Sequence, residues 1–414
     1  MWQQEHIFGG VLEDEAVWED FVFMFEDGGF EIYEGREVIY SQKELAEEIG
    51  APAKRRLEVP EICDGVFQRA ILLVLLLSFL LDFLSLSRIL SRRPPPPTVH
   101  SPVQRIYITA IHWNNEVVLR SNWNKAVLEL AKHLGPENIY ISIYESGSWD
   151  DSKGALRSLD AELCQLGVPR TVILDETTHA DELATPPASS GWIDTPRGKN
   201  ELRRIPYLSK LRNTALKPLL ALAANGTTFD KLLFLNDVVF TTADVTTLLA
   251  TRNGAYAAAC SLDFSHPPAY YDTFALRDSE GHETVIPTFP YFRSRASRDA
   301  MVSNRPVPVQ SCWNGIVAFD ATPFYSGNNP LQFRGIPDSL ALHHLEGSEC
   351  CLIHADNPLT PLYGVWLNPS VRVGYNPEAY AAVHPDGATF WPPATEAIRV
   401  QVLDNCVSGE VSKI

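Results

Sequence analysis

Asn236 and Asp237 interrupt an otherwise apolar run, Lys231 to Phe240 (KLLFLNDVVF), where a buried strand would emerge from a sheet. In open α/β sheets, ligands gather outside the carboxyl ends of the strands. A carboxylate there, beside an amide, can hold a hard divalent cation through oxygen, and the cation can hold a diphosphate. The same pair also fits a turn that caps the next helix. Only one carboxylate is present, so Asn236, water and diphosphate oxygens must complete an octahedral shell. Mn2+ or Mg2+ suits such ligation.

Further chemistry is spaced along the chain. Lys210, Arg212 and Asn213 fall in one expected helix, with Arg203 and Arg204 just before it. Lys210 and Asn213 share a face and Arg212 is turned away from both. An arginine fork matches phosphate oxygens, so Arg204 or Arg212 is placed to grip a diphosphate; a solvated helix face explains the same charges. Trp313, Asn314 and Gly315 offer an apolar plate, an amide for hydroxyls and a close backbone approach, or a core tryptophan followed by a turn. Asp263 and His266 form a polar strand end that could line an acceptor side, with Tyr270 and Tyr271 close behind.

The elements that must position these groups alternate. Arg105–Ile111, Asn138–Tyr144 and Arg170–Asp175 read as strands, with helices over Asn115–Leu134 and Ser152–Leu166 between them. Strand–helix–strand order with short connections means right-handed crossovers and a parallel sheet. After a loop rich in Pro, Thr and Gly (Thr177–Lys199) come a helix over Tyr207–Asn225, the Lys231–Leu235 strand and a helix begun near Thr242.

Five motifs stand in order along this region: RIYITA with Asn114-Asn115-Glu116, RIPYLSKLRN ending at Asn213, FLNDV at Phe234–Val238, SCWNG at Ser311–Gly315, and SECCLIH ending at His354. The arrangement resembles a GT-A glycosyltransferase, and more closely the fungal capsule-associated α-1,3-mannosyltransferase family, over roughly Arg105 to Asn368. That resemblance implies an α/β, GT-A-like domain with a mainly parallel central sheet. It also implies transfer of mannose from GDP-mannose to a glycan in α-1,3 linkage, with retention. It nominates Asp237 as metal ligand and His354, which ends the apolar run Cys351-Leu-Ile and is read at a strand end, as a second one, and Glu349 as the charged group near the anomeric carbon. Glu346 is the other acidic residue nearby. The donor would meet Arg204, Lys210, Arg212, Asn213 and Asn236, and the acceptor Trp313, Asn314 and Asp263. A retaining transfer needs either a carboxylate nucleophile or a same-face course aided by the leaving phosphate, and the residues leave both open.

The 414-residue chain carries a formal charge of −17, which argues against a nucleic-acid partner. Much of that charge lies in residues 1–62, expected to be a disordered cytoplasmic region with a short helix near Ser41–Ile49. Residues 66–90, with an apolar stretch from Ala70 to Leu90, are expected to form a single transmembrane anchor near the roughly 30 Å hydrocarbon thickness. Residues 91–104, with Pro94–Pro97, are expected to be a stiff stem, and residues 105–414 the transferase domain. Six of seven cysteines follow the apolar segment, and Asn225 begins a glycosylation sequon. Both fit a lumenal catalytic part, hence a single-pass type II protein of the Golgi or ER membrane. No Gly-x-Ser-x-Gly elbow and no Gly-x-Gly-x-x-Gly fingerprint after the first strand is present, which disfavours a serine hydrolase and a dinucleotide enzyme. A transferase using another nucleotide sugar, such as a UDP-sugar, and a non-catalytic membrane scaffold in polysaccharide assembly are the competing readings.

Overall fold

A computed structural model describes residues 22–26, 29–34, 37–41 and 104–384, without 196–197, 326–328 and 345, together with Leu73, Leu76, Leu77 and Leu80. The sheet begins with the apolar runs the sequence marks. Ile106–His112 (β1), Ile139–Ser146 (β2) and Arg170–Asp175 (β3) lie parallel, and Lys231–Leu235 (β4) joins the other side of β1, also parallel. Ala258–His266 (β5), Val307–Ser311 (β6), Ile316–Asp320 (β7) and Val365–Gly374 (β8) extend it, in the order β6-β8-β5-β7-β4-β1-β2-β3. Arg277–Asp278 edges β6 and Ala269–Tyr270 pairs with β5. The β7 pairings to β4 and β5 are antiparallel, so the sheet is parallel through its first four strands and mixed beyond them.

Strand β4 is buried at all five positions, and its period of two splits them between the two faces. Leu232 and Phe234 enter a core with Leu216 and Leu219 of helix Arg204–Ala224 (α3). Leu233 and Leu235 face the other core, with Val127 and Leu130 of Asn124–Leu134 (α1), Leu156 and Leu159 of Ser152–Gln165 (α2) and Leu248 of Thr242–Leu249 (α4). Helix α1 is entered through Glu116–Val118 and a π-helical turn, Leu119–Trp123, which aims the Trp123 indole at the end of β4. The loop expected over Thr177–Lys199 instead holds a capped turn of helix, His179–Ala184, and Trp192–Asp194, the first strand of a hairpin completed by Asn200–Leu202.

Cys260 of β5 is bonded to Cys312, while Cys164, Cys350 and Cys351 are free. Closing a separation of 52 residues removes unfolded-state entropy worth about 4 kcal/mol. The bond also pins the residue just before Trp313-Asn314-Gly315.

Where disorder is expected, Val22–Glu26, Gly29–Glu34 and Glu37–Ser41 pair as an antiparallel meander. The short helix expected near Ser41–Ile49 lies outside the described residues apart from Ser41, as do nearly all of the expected stem and most of the apolar span. No helix among the described residues is long and apolar enough to cross a membrane.

Candidate active site

Register carries five strand ends to one edge of the sheet. Strands β1 and β4 pair Thr109 with Phe234, which continues to His112 beside Asp237. Leu235 pairs with Ile316, and the Asn236 amide donates to the Gly315 carbonyl at 2.9 Å. Strand β5 reaches the same edge with Asp263, beside Val373 of β8. The turn between Cys312 and β7 is tight there. Asn314 and Gly315 both have positive φ (43° and 87°), and a Cβ on Gly315 would lie 2.5 Å from Val373 Cγ2, so only glycine fits.

Asp237, only 7% exposed, accepts a hydrogen bond on Oδ2 from Asn115 Nδ2 at 2.8 Å. Its neighbour Asn236 is held on three sides. Trp123 Nε1 donates to its backbone carbonyl (2.9 Å), Trp313 Nε1 donates to its Oδ1 (3.0 Å), and its own amide is spent on Gly315. His112 is fully buried, and burial lowers its pKa to about 4 against the opposing pull of Asp237, so it is neutral at pH 7. Tyr271 lies against the same edge, its ring 4.6 Å from that of Tyr375. Burial raises the Tyr271 phenol, the carboxylates of Asp237, Asp263 and Asp272 raise it further, and Arg204 pulls it down. Arg204, half-buried at the first turn of α3, acts on the same Tyr271 phenol as Asp237 does, with the opposite sign.

Asp263 is enclosed by donors: Asn314 Nδ2 (2.9 Å) and the Asp272 amide (3.1 Å) on Oδ1, and the Tyr375 hydroxyl (3.1 Å) on Oδ2. Burial first, and the Asp272 carboxylate second, push its pKa up to about 7. The native carboxyl thus holds its proton more tightly than the unfolded chain does. Its contribution to stability is full below about pH 4 and is lost as pH rises through about 7. Asp263→Asn mimics the protonated acid, so the thermal midpoint of the wild type should fall more steeply than the variant's between about pH 5 and 7.5. Parallel melting profiles across that range would refute this assignment.

The family model for Cryptococcal mannosyltransferase 1 matches residues 105–356, more than half of the chain and all the strand ends above except that of β8. The chain belongs to this family. Membership places it among glycosyltransferases, on an α/β fold with a mixed, mainly parallel central sheet. No curated protein sequence matches the chain. Solved structures show slight likeness. A mannosyltransferase, PcManGT, from Pyrobaculum calidifontis, in complex with GDP-Man and Mn2+, is 13% identical with a TM-score of 0.35. TarS from S. aureus is 10% identical, also at 0.35, and GalNAc-T7 with UDP, GalNAc and Mn2+ is 12% identical at 0.35. The first two alignments cover 75% and 65% of this chain, and the chain spans 66% and 60% of those two structures.

Several residues expected at the site of this family member sit differently. His354 lies in a helix, Glu349–Asp356 (α5), not at a strand end. Its Nε2 is 2.7 Å from the Cys312 carbonyl and its ring stacks on Phe319, which pairs with Leu232, three residues (roughly 10 Å) back from the end of β4. Fully buried, with Nε2 held by backbone and its ring stacked on Phe319, it is packed into the core instead of standing at the strand end where the second ligand is expected. The one group of three close His, Cys, Asp or Glu ligand atoms among the described residues is His354 with the disulfide sulfurs, which are spent on each other. Lys210 is exposed and ion-paired with Glu182 at 2.7 Å. Asn213 exchanges two hydrogen bonds with the Phe333 backbone, so it clamps a loop instead of meeting a donor. Glu346 pairs with Arg203, and His266 is exposed.

Arg212 and Glu349 are spent on each other. The buried guanidinium donates from Nε to Glu349 Oε1 at 2.9 Å, and Ser348 Oγ reaches Glu349 Oε2 at 3.3 Å. Arg212 also lies 4.1 Å above the Trp313 ring. Trp313 is therefore no open sugar plate: one face carries Arg212, Phe234 and Phe333 surround it, and it is 1% exposed. Asn314, likewise buried, spends its amide on Asp263 and the Asp272 carbonyl. Together Glu349, Arg212 and Trp313 brace Asn236 from below. Of the expected residues, Asp237, Asn236 and Asp263 lie at the edge, and Arg204 acts on Tyr271 there. Sequence reasoning assigned no role to Asn115, His112 or Tyr375. Asn115 stood in a quoted motif, but nothing local pointed it at Asp237.

Proposed function

We propose that this protein transfers a mannosyl group from GDP-mannose to a glycan hydroxyl in α-1,3 linkage, with retention and with a divalent cation. The observation that carries the reading is the placing of Asp237, Asn236 and Tyr271 at the carboxyl edge of the parallel strands, with Arg204 acting on the same Tyr271 phenol, in a chain of this family. The donor set fits a hard cation. Asp237 offers one carboxylate beside amides, and Mg2+ or Mn2+ commonly takes one or two protein carboxylates with the rest from phosphate and water. When bound, the cation supplies charge neutralisation to the nucleoside diphosphate as it leaves.

The chain's own residues do the remaining work. Arg204, at the amino end of α3, brings positive charge within reach of Tyr271, and the helix end adds to its field. Tyr271 and Tyr375 line the edge with aromatic surface where water must be excluded. Glu349 and Asp263 are both held by protein donors. That favours a same-face course over a carboxylate nucleophile. The C1–O bond to phosphate breaks, the acceptor oxygen bonds C1 on the face just vacated, and its proton passes to a diphosphate oxygen. A membrane-anchored, lumenal type II arrangement in the Golgi or ER accords with the disulfide and with the apolar span.

A donor screen tests the reading. Thermal shift of the protein with GDP, UDP and their mannose, glucose and xylose conjugates, with and without Mn2+, should single out GDP-mannose in a metal-dependent way. Preference for a UDP-sugar would change the donor. Indifference to every nucleotide would leave the scaffold role.

A further inference from the structure

Asn115 joins the first and fourth strands at their carboxyl ends. Its side-chain amide can be oriented without ambiguity, because one partner is a fixed donor. The Trp113 backbone N–H reaches Asn115 Oδ1 at 2.9 Å, so the oxygen lies there and the NH2 group faces Asp237 Oδ2 at 2.8 Å. His112 Nδ1 is 3.2 Å from the same Oδ1. That oxygen only accepts, so Nδ1 carries the proton. Asn115 is fixed further by its own amide, which donates to Ser152 Oγ at 2.8 Å. It is 4% exposed.

The His112 ring shows that more than packing is at stake. Its Nε2 is buried with no hydrogen-bond partner among the described residues. An orphaned buried nitrogen costs stability, and a leucine or phenylalanine would fill the space against Trp123 without that cost. The imidazole is of use here for the one bond it makes, to Asn115. Local sacrifices of stability of this kind cluster at functional sites.

We propose that Asn115, steadied by His112, is a positioning residue that fixes the rotation of the Asp237 carboxylate and so sets the protein's affinity for the divalent cation. This rests on Asp237 as the cation's anchor. Partners that orient a ligating carboxylate typically change metal affinity 10- to 100-fold when removed.

The test is Mn2+ binding to the full-length chain in the presence of GDP, read from the loss of the free-ion electron paramagnetic resonance signal. Asn115→Ala should weaken Mn2+ about 10- to 100-fold. His112→Leu should weaken it by a smaller factor while leaving the thermal midpoint unchanged or raised, a combination that a merely structural role would not give. Asp237→Asn should remove the site. Wild-type Mn2+ affinity in Asn115→Ala, with binding lost in Asp237→Asn, overturns the positioning role and leaves the anchor standing. Wild-type affinity in Asp237→Asn overturns the anchor and the inference with it. If Asn115→Ala does not fold, His112→Leu decides: weaker Mn2+ binding supports the proposal and wild-type binding refutes it.

Discussion

Asp237→Asn should reduce mannosyl transfer about a thousandfold, some 4 kcal/mol of transition-state stabilisation, with little effect on stability. The loss is large because Asp237 is the one carboxylate in the polar break at the end of β4, and neutralising it removes the charge that anchors the cation. The fold should survive because an asparagine oxygen can still accept from Asn115 Nδ2, the contact Asp237 makes at 2.8 Å. The thermal midpoint should stay within about 2–4 °C of wild type. Labelled-mannose transfer from GDP-mannose, measured across Mn2+ concentrations, checks the first half, and a melt of the same sample checks the second. Undiminished turnover in the variant would move the cation elsewhere or dispense with it.

Arg212→Ala should be the most damaging of these changes to stability, at about 5 kcal/mol. Both members of the Arg212–Glu349 pair are buried, with side chains 9% and 2% exposed. Removing one leaves a carboxylate without its countercharge in a medium that solvates it poorly. The guanidinium also covers the Trp313 ring and approaches Phe333, so its loss opens a gap under the indole that holds Asn236. Adding Glu349→Gln should restore a good part of the loss, since the orphaned charge is then gone. Urea melts of the two single variants and the double form a cycle that reads the coupling. A single-variant cost under about 1 kcal/mol would mean that the pair is solvated and braces nothing.

Arg212 also marks the limit of what local spacing encodes. Helical spacing turned Arg212 away from Lys210 and Asn213, and the structure agrees: Arg212 faces the core while Lys210 is exposed. Spacing could not say that the core-facing side held an acid from residue 349. Trp313 and Asn314 suffered the same limit. Their types suit sugar binding, but whether a tryptophan face is open depends on what packs over it. For His354, the short apolar run Cys351-Leu-Ile carries no period long enough to separate strand from helix, so its element was misassigned. The N-terminal meander was missed because acidic composition outweighed the alternating aromatics that pair there.

The sequence by itself determined the alternating strands and helices, the bounds of Arg170–Asp175 and Lys231–Leu235, and the placing of Asp237 just past a buried strand. These are local properties: burial on both faces requires an unbroken apolar run, and a polar residue can follow only where the strand leaves the sheet. Tertiary structure alone decided which side chains meet that carboxylate. Asn115 lies 122 residues from Asp237, and reaches it because β4 takes its place beside β1. Strand order across a sheet is set by packing of whole layers, and no local period encodes it.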